Sequence, residues 1–99
     1  MATAASVTDD IRATVADVVG REMKPFGFRG VTVTPGEDHD GEPVLIVDVE
    51  YGVDGEPIDP NVMAKLVTKL RDRLWDMGEK RFPHIRHHFS DEQKVVGFP

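Results

Sequence analysis

Four residues near the end of the chain are of types that could bind a metal ion. His84, Arg86, His87 and His88 lie within five positions, and histidine is a common zinc ligand. On a β-strand, successive side chains point to opposite faces, so His84 and His88 share one face and His87 lies on the other. Two histidines without a third ligand do not complete a zinc site. The sequence therefore predicts a strand with one half-buried histidine and no bound metal or cofactor.

Two acidic groups suggest other chemistry. Asp38, Asp40 and Glu42 surround a glycine as in a calcium loop, but the third acid before the glycine and the later bidentate glutamate are absent. Asp48 and Glu50 lie on the same face of a predicted strand. Two neighbouring carboxyl groups can raise the pKa of one of them, as in general acid catalysis. The interpretation we favour is a solvated hairpin loop for the first group and an exposed strand end for the second.

Catalytic motifs are missing from the chain. It contains no Gly-x-Ser-x-Gly elbow, no glycine-rich phosphate loop ending in Lys-Ser or Lys-Thr, and no dinucleotide fingerprint after a strand. The absence of cysteine excludes a thiol nucleophile, thiolate zinc ligands and disulfides. We therefore expect no catalytic residue.

Basic residues recur at every fourth position of the second predicted helix, and more follow it. Such a line can contact phosphates, although mixed charges on an exposed helix face are routine and Asp72 and Asp76 interrupt this one. The candidate nucleic-acid contacts are Lys65, Lys69, Arg73, Lys80, Arg81 and Arg86.

Trp75 lies off the apolar stripe of the same helix, next to Leu74. We favour the interpretation that its ring covers the flank of the helix within the core. The alternative is an exposed anchor for a protein partner, because tryptophan is enriched at interface hot spots.

Five elements must position these residues. Caps, breakers and the spacing of apolar residues predict two helices, and alternation between turn-forming segments predicts three strands. The expected elements are a helix from about Thr8 to Lys24, a strand from Phe28 to Thr34 ended by Pro35 and Gly36, a strand from Pro43 to Tyr51, an uninterrupted helix opening at Asp59-Pro60 and running to Met77, and a short strand from Pro83 to Phe89.

The predicted fold is α+β, in the order α-β-β-α-β. The first two strands form an antiparallel hairpin, and the simplest burial of all apolar stripes is a three-stranded sheet with both helices packed on one face, KH-like or similar. We expect residues 1–99 to form a single domain, with residues 1–6 and about 91–99 flexible.

The composition of the chain limits the classes of partner and the cellular location that we expect. The net charge of −6 argues against a dedicated polyanion binder. Residues 1–60 hold 13 acids and 4 bases, for a charge of −9, whereas residues 61–99 hold 5 acids and 8 bases, for a charge of +3. The missing cysteines, the lack of a signal-peptide pattern and the lack of a long apolar run predict a cytoplasmic protein without membrane contact.

Three segments together carry a family resemblance. They are Ile11–Thr34, with Arg21-Glu22-Met23-Lys24 before Val31-Thr32-Val33-Thr34; the acidic hairpin connection; and Pro83-His84-Ile85 running into Phe89-Ser90-Asp91. Their order resembles the ribosome-binding factor A family, bacterial ribosome-maturation proteins with a KH-like RNA-binding domain. The family has a kinked helix pair after its second strand, whereas this chain predicts one continuous helix.

The resemblance implies a small non-catalytic binding module whose partner is structured RNA or the ribosome. The six basic candidates would then contact phosphates. The alternative is a protein-interaction or homodimerisation module, with the sheet edge at Pro83 to Phe89, or Trp75, at the contact. Salt-dependent RNA affinity distinguishes the first hypothesis, and concentration-dependent size distinguishes a homodimer.

Overall fold

The structure, a computed structural model, describes residues 6–53 and 55–90 of the 99-residue chain. The predicted α+β class and the order α-β-β-α-β are confirmed. The predictions for residues 1–5 and 91–99 lie outside the described residues. The elements are α1 (Asp9–Met23), a 3-10 turn (Lys24–Phe26), β1 (Phe28–Glu37), β2 (Pro43–Tyr51), α2 (Pro60–Asp76) and β3 (Phe82–Phe89).

Side-chain caps begin both helices. Thr8 accepts a hydrogen bond from the backbone nitrogen of Ile11 at 3.2 Å, and Asp59 accepts one from that of Val62 at 3.0 Å. Such caps satisfy amide groups that the first helical turn leaves without partners. The helices end at Met23 and Asp76, each one residue before its predicted end. Capping chemistry therefore located both helices closely.

β2 is the central strand of a three-stranded sheet in the order β1-β2-β3. It pairs with β1 antiparallel, so that Val47 lies opposite Val33, and the predicted hairpin is confirmed. It pairs with β3 in parallel, with Val47 opposite Ile85. The parallel pairing follows from the connection, because α2 carries the chain back along the sheet between β2 and β3.

The prediction that Pro35 and Gly36 end the first strand is wrong. β1 continues to Glu37, and Pro35 lies opposite Leu45. Proline is tolerated because β1 is an edge strand, on which a missing donor can face away from the sheet. Gly36 is required by its neighbour, since a Cβ there would lie 2.8 Å from Cγ1 of Ile46.

Both helices cover the same face of the sheet. On β2, alternate residues point into the core between sheet and helices, as the pattern predicts, whereas Asp48 and Glu50 point to the face turned away from the helices, here called the open face. Burial of each of these aliphatic side chains stabilises the folded state by roughly 1.5–3 kcal/mol. Core side chains that are 1% exposed or less include Val15, Val19, Met23, Leu45, Val47, Val49, Tyr51, Leu66, Leu70 and Leu74.

Within residues 6–53 and 55–90, no helix combines the length and the apolar character needed to cross a membrane.

Candidate functional site

The basic line on α2 lies along the flank that faces α1. Nζ of Lys69 is 3.0 Å from a carboxylate oxygen of Glu22, and the guanidinium of Arg73 is 3.7 Å from that of Asp17. Glu22, Lys69 and Arg73 line a shallow groove of about 300 Å³ between the two helices. Lys65 has no carboxylate within 4.0 Å in the described part of the chain. Two of the three cations on this line are therefore paired with acids of α1.

Arg81 is held within the fold. It pairs with Glu79 at 2.8 Å, and both side chains are almost buried, at 13% and 11% exposed. Its guanidinium also donates to the backbone carbonyl of Ser6 at 2.9 Å. The hydrogen bonds from Arg81 lower the pKa of the Glu79 carboxyl. This predicted phosphate contact instead joins the turn before β3 to the residues before α1.

Arg86 lies on the open face, away from α2. Its guanidinium contacts both carboxylate oxygens of Asp48, at 2.8 and 3.2 Å, and His88 lies 2.8 Å from the same carboxylate. The hydrogen bond from Arg86, and a second from His88, lower the pKa of Asp48. The hypothesis that this carboxyl pKa is raised for acid catalysis is therefore wrong for Asp48.

The six basic candidates do not share one surface. Lys65, Lys69 and Arg73 follow the α1-facing flank of α2, whereas Arg86 belongs to the open face of the sheet. Lys80 lies near the ring of Trp75, with Nζ 5.4 Å from its centroid. Their distribution divides the positive charge of the second half of the chain among separate surfaces.

Trp75 is exposed, and the interpretation that it covers the core is wrong. Its side chain is 57% exposed, whereas Leu74 is fully buried. The reason is geometric: Leu66, Leu70 and Leu74 already fill the stripe facing the sheet, and Trp75 follows about 100° further around the helix. The sequence places the ring on a flank of the helix, but it does not show whether that flank is buried or exposed to solvent.

Trp75 belongs to a row of rings and cations beside β3, here called the aromatic strip (Arg71, Trp75, Lys80, Phe82 and His84). Cζ of Arg71 lies 6.0 Å from the ring centroid of Phe82, which is 41% exposed and makes an edge contact with His84. Arg71 precedes Trp75 by four residues, so they are neighbours on the surface of α2. The sequence analysis does not single out Arg71 or Phe82, although the four-residue spacing between Arg71 and Trp75 is visible in the sequence.

The outer edge of β3 runs beside this strip. The backbone nitrogen of Ser90 donates to the carbonyl of Tyr51 at 3.2 Å. In a parallel ladder alternate residues bond to the neighbouring strand, so the backbone groups of Ile85 and His87 point outward. In residues 6–53 and 55–90 those groups have no hydrogen-bond partner. Among the described residues, the outer edge of β3 is thus unpaired.

The outer edge of β1 is protected by contrast. Nη1 of Arg12 donates to the carbonyl of Val33 at 2.8 Å, and Pro35 has no amide hydrogen to offer on the same side. Proline and charged side chains are known means of preventing unwanted pairing at sheet edges. The two edges therefore differ in their capacity to accept another strand.

The histidines divide between faces as predicted. His87 is half-buried on the helix-covered side, and His84 and His88 are exposed on the open face. Across the described ranges, no group of three or more histidines, aspartates or glutamates is arranged to hold a metal ion. His87 and His88 make hydrogen bonds and His84 makes a ring contact.

The acidic hairpin loop satisfies its own backbone. A carboxylate oxygen of Asp38 accepts hydrogen bonds from the nitrogens of Asp40 and Glu42, each at 2.9 Å. The backbone hydrogen bond from Glu42, the larger contribution, and that from Asp40 lower the pKa of Asp38. This is ordinary turn chemistry for aspartate.

Comparison of the chain with protein-family models, curated proteins and solved structures finds no match in any of the three.

Proposed function

We propose that the protein is a non-catalytic protein-interaction module that contacts its partner through the aromatic strip. The observation that carries the proposal is the exposure of Trp75, at 57%, together with that of Phe82, whose ring lies 6.0 Å from Cζ of Arg71, four residues before Trp75 on α2. Three of the four large hydrophobic side chains exposed in the described residues fall between Trp75 and Phe82. Clustered exposed apolar side chains of this kind mark binding sites.

The charges favour a protein partner over RNA. A phosphate-binding surface needs cations free to neutralise phosphates. Four of the six basic candidates are instead paired with carboxylates of the chain, and the net charge is −6. RNA would have to displace those acids and approach a negatively charged protein.

RNA binding remains the second candidate. The resemblance to ribosome-binding factor A supports it through the shared order of elements, and a KH-like fold is the finer expectation that this order raises. Lys65 without a carboxylate partner among the described residues also supports it. Against it, α2 is one continuous helix from Pro60 to Asp76, without the kinked pair of that family.

Photocross-linking tests the proposal. p-Benzoylphenylalanine is introduced at position 75, at position 82 and, as a matched control, at the exposed first-turn position Asp10 of α1. We expect the same discrete, nuclease-resistant protein adduct from positions 75 and 82 and none from position 10. Adducts lost on nuclease treatment, or the same adducts from all three positions, would contradict the proposal.

Fluorescence anisotropy tests the RNA candidate separately. The protein is titrated into labelled structured ribosomal RNA at low and at physiological salt, with Lys69→Glu beside the unchanged protein. Binding that weakens with salt and with the substitution supports RNA recognition. No binding at low salt removes it.

A further inference from the structure

Two cations of the aromatic strip have no carboxylate partner. Among residues 6–53 and 55–90, the guanidinium of Arg71 and the ammonium of Lys80 form no ion pair and no side-chain hydrogen bond. Each lies near a ring instead, with Cζ of Arg71 6.0 Å from the centroid of Phe82 and Nζ of Lys80 5.4 Å from that of Trp75. Contact with a ring leaves their N–H groups able to donate to an acceptor from outside the chain.

The flank of α2 that faces Phe82 contains no acid. Arg71 contacts the ring of Phe82, and Trp75, about one turn later, lies on the same flank. Asp72 and Asp76, the two acids of α2, each lie about 100° further around the helix. Asp72 lines the groove between α2 and α1, and Asp76 follows it by about one turn. Positive charge therefore predominates on the flank of Arg71 and Trp75.

The other acids beside the strip are paired or lie at its opposite side. The carboxylate of Glu79 is held by Arg81 at 2.8 Å, so this pair adds no net charge. The acidic hairpin loop leads into the part of β2 that pairs with Phe82, so its acids border the β3 side of the strip. The members of the strip outside β3 are here called the cationic end, which consists of Arg71, Trp75 and Lys80.

The net charge of the protein is opposite in sign to the cationic end. It is −6, and at long range it favours basic ligands. At physiological ionic strength charges are screened over about 8 Å, so a short segment bound against Trp75 responds mainly to the groups around that ring. The whole molecule and the cationic end therefore predict opposite preferences for the charge of a ligand.

An acidic segment with an aromatic residue fits the cationic end. Carboxylates accept charge-assisted hydrogen bonds from guanidinium and ammonium groups, and these are stronger than neutral ones. The ring of Trp75 is 57% exposed, so an aromatic side chain packed against it would remove apolar surface from water. Arg71 precedes Trp75 by four residues and Lys80 lies over its ring. Acids flanking an aromatic residue can therefore reach both cations.

Single-stranded nucleic acid fits the cationic end less well. Its binding requires a positively charged groove that follows the backbone, and ring faces on which bases can stack. Asp72 and Asp76 interrupt the positive charge around α2, and Lys80 already lies over the ring of Trp75. The cationic end has room for one short acidic segment and not for a continuous phosphate track.

A second copy of the chain also fits poorly. Contact between two cationic ends would place the same cations opposite each other, and like charges across an interface are unfavourable. The acidic hairpin loop, residues 37–42, offers no aliphatic or aromatic side chain to Trp75, and it uses Asp38 in its own turn. A contact between two unlike surfaces also extends into open chains of molecules. A partner of different sequence avoids both difficulties.

We propose that the cationic end of the aromatic strip binds a segment of a partner protein in which carboxylates flank an aromatic residue. This inference rests on the proposed function and specifies its partner. Arg71 and Lys80 donate to the carboxylates, and the aromatic residue packs on Trp75.

The probes are three capped pentapeptides with a central phenylalanine, whose four flanking residues are all glutamate, all glutamine or all lysine. Each is added to the full-length protein, and binding is followed by the fluorescence and the indole N–H signal of Trp75, the only tryptophan of the chain. We expect saturable binding of the glutamate peptide, at least about tenfold, or 1.4 kcal/mol, tighter than that of the glutamine peptide. The lysine peptide should bind most weakly, although the net charge alone predicts the reverse.

Substitutions test the charges from the side of the protein. Arg71→Gln and Lys80→Gln should each weaken the glutamate peptide several-fold and leave the glutamine peptide unchanged. Asp76→Asn removes a bordering acid and should strengthen the glutamate peptide. Lys24→Gln is the matched control, because Lys24 is an exposed cation in the turn after α1 and should not affect any of the peptides.

Three results overturn the inference. They are equal or tighter binding of the lysine peptide, tighter binding of a single-stranded oligouridine that displaces the glutamate peptide, and self-association of the free protein that shifts the indole signal. If the glutamate peptide fails to bind while cross-linking at position 75 still yields its protein adduct, this inference fails and the proposed function stands. Loss of that adduct removes the proposed function itself.

Discussion

The hydroxyl oxygen of Tyr51 lies 2.7 Å from Nδ1 of His87, joining the central strand to the edge strand on the helix-covered face. Burial raises the pKa of Tyr51 to about 12, so the phenol keeps its proton. Burial, and then the charge of His88, lower the pKa of His87 from its ordinary value of 6.5. Neutral His87 can therefore accept a hydrogen bond from the Tyr51 hydroxyl at Nδ1.

Stability should fall as the pH drops below about 6.5. His87 has a lower pKa in the folded protein than in the unfolded chain, so the unfolded chain binds more protons in the window between the two values. Its contribution is complete above the unfolded pKa and declines as the pH falls towards the folded one. Urea unfolding followed by circular dichroism at pH 7.5 and 5.5 measures the change. In His87→Gln the loss of stability between pH 7.5 and 5.5 should be smaller, whereas in His84→Gln, on the other face of β3, it should persist. Equal losses in both variants would exclude His87 as the cause.

Glu79→Gln should destabilise the protein near neutral pH by about 1–3 kcal/mol, because it weakens the hydrogen bonds that Arg81 donates to the charged carboxylate. The folded-state pKa of Glu79 lies below its ordinary value of 4.5, so its contribution is present above that pH and is lost on acidification. Urea titrations at pH 7 and pH 3.5 should show a smaller acid-induced loss in the variant. Glu56→Gln, at an exposed loop position, should behave like the unchanged protein at both pH values.

Gly55→Ala should lower stability by roughly 1–3 kcal/mol, since the added methyl group overlaps the backbone carbonyl of Phe26. The loop after β2 is fixed there by hydrogen bonds from Gly52 to Gly27 and from Glu56 to Pro25, at 2.7 and 3.1 Å. Gly30→Ala is the matched control, because nothing lies within 4 Å of its added methyl group. Thermal unfolding compares the variants, and an unchanged melting temperature for Gly55→Ala would contradict the close approach.

Asp59→Ala should cost about 1 kcal/mol by removing the acceptor for the amide of Val62 at the start of α2. Asp59→Asn retains a side-chain oxygen and should preserve most of the stability. Urea unfolding of the two variants separates the cap from the charge. A loss equal in both would show that the charge of Asp59, and not its hydrogen bond, stabilises the helix.

Arg12→Ala should expose the edge of β1 by freeing the carbonyl of Val33. We expect a loss of about 0.5–1.5 kcal/mol from the missing hydrogen bond and increased self-association at high protein concentration. Sedimentation velocity measures the second effect. Arg21→Ala removes an exposed arginine of the same helix that pairs with Asp17 and should leave the protein's size distribution unchanged.

Local chemistry made most of the fold predictable. Thr8, Asp59 and Pro60 specify where helices begin, and the alternation along β2 specifies which residues enter the core. β1 was predicted too short because the effect of Pro35 depends on whether its missing donor faces a neighbouring strand. That depends on the position of β1 at the sheet edge, a property of the whole sheet.

The candidate site was less predictable because its determinants are distant in sequence. Lys69 is paired with an acid 47 positions away, and Arg86 with one 38 positions away. No pattern within α2 or β3 reveals those partners. The exposure of Trp75 likewise depends on how fully the leucines of α2 occupy the space above the sheet, which is a property of packing.

The crossing of α2 between two parallel strands has a kinetic consequence. The β1–β2 hairpin can start from Glu37 and Pro43, six positions apart, whereas Val47 must find Ile85, 38 positions away. Closing the longer loop costs roughly 1.6 kcal/mol more in chain entropy. We therefore expect β3 to join the sheet last during folding and to detach first during unfolding. A ligand bound along β3 would then slow unfolding and prolong the lifetime of the native state, because it would hold the strand that otherwise detaches first.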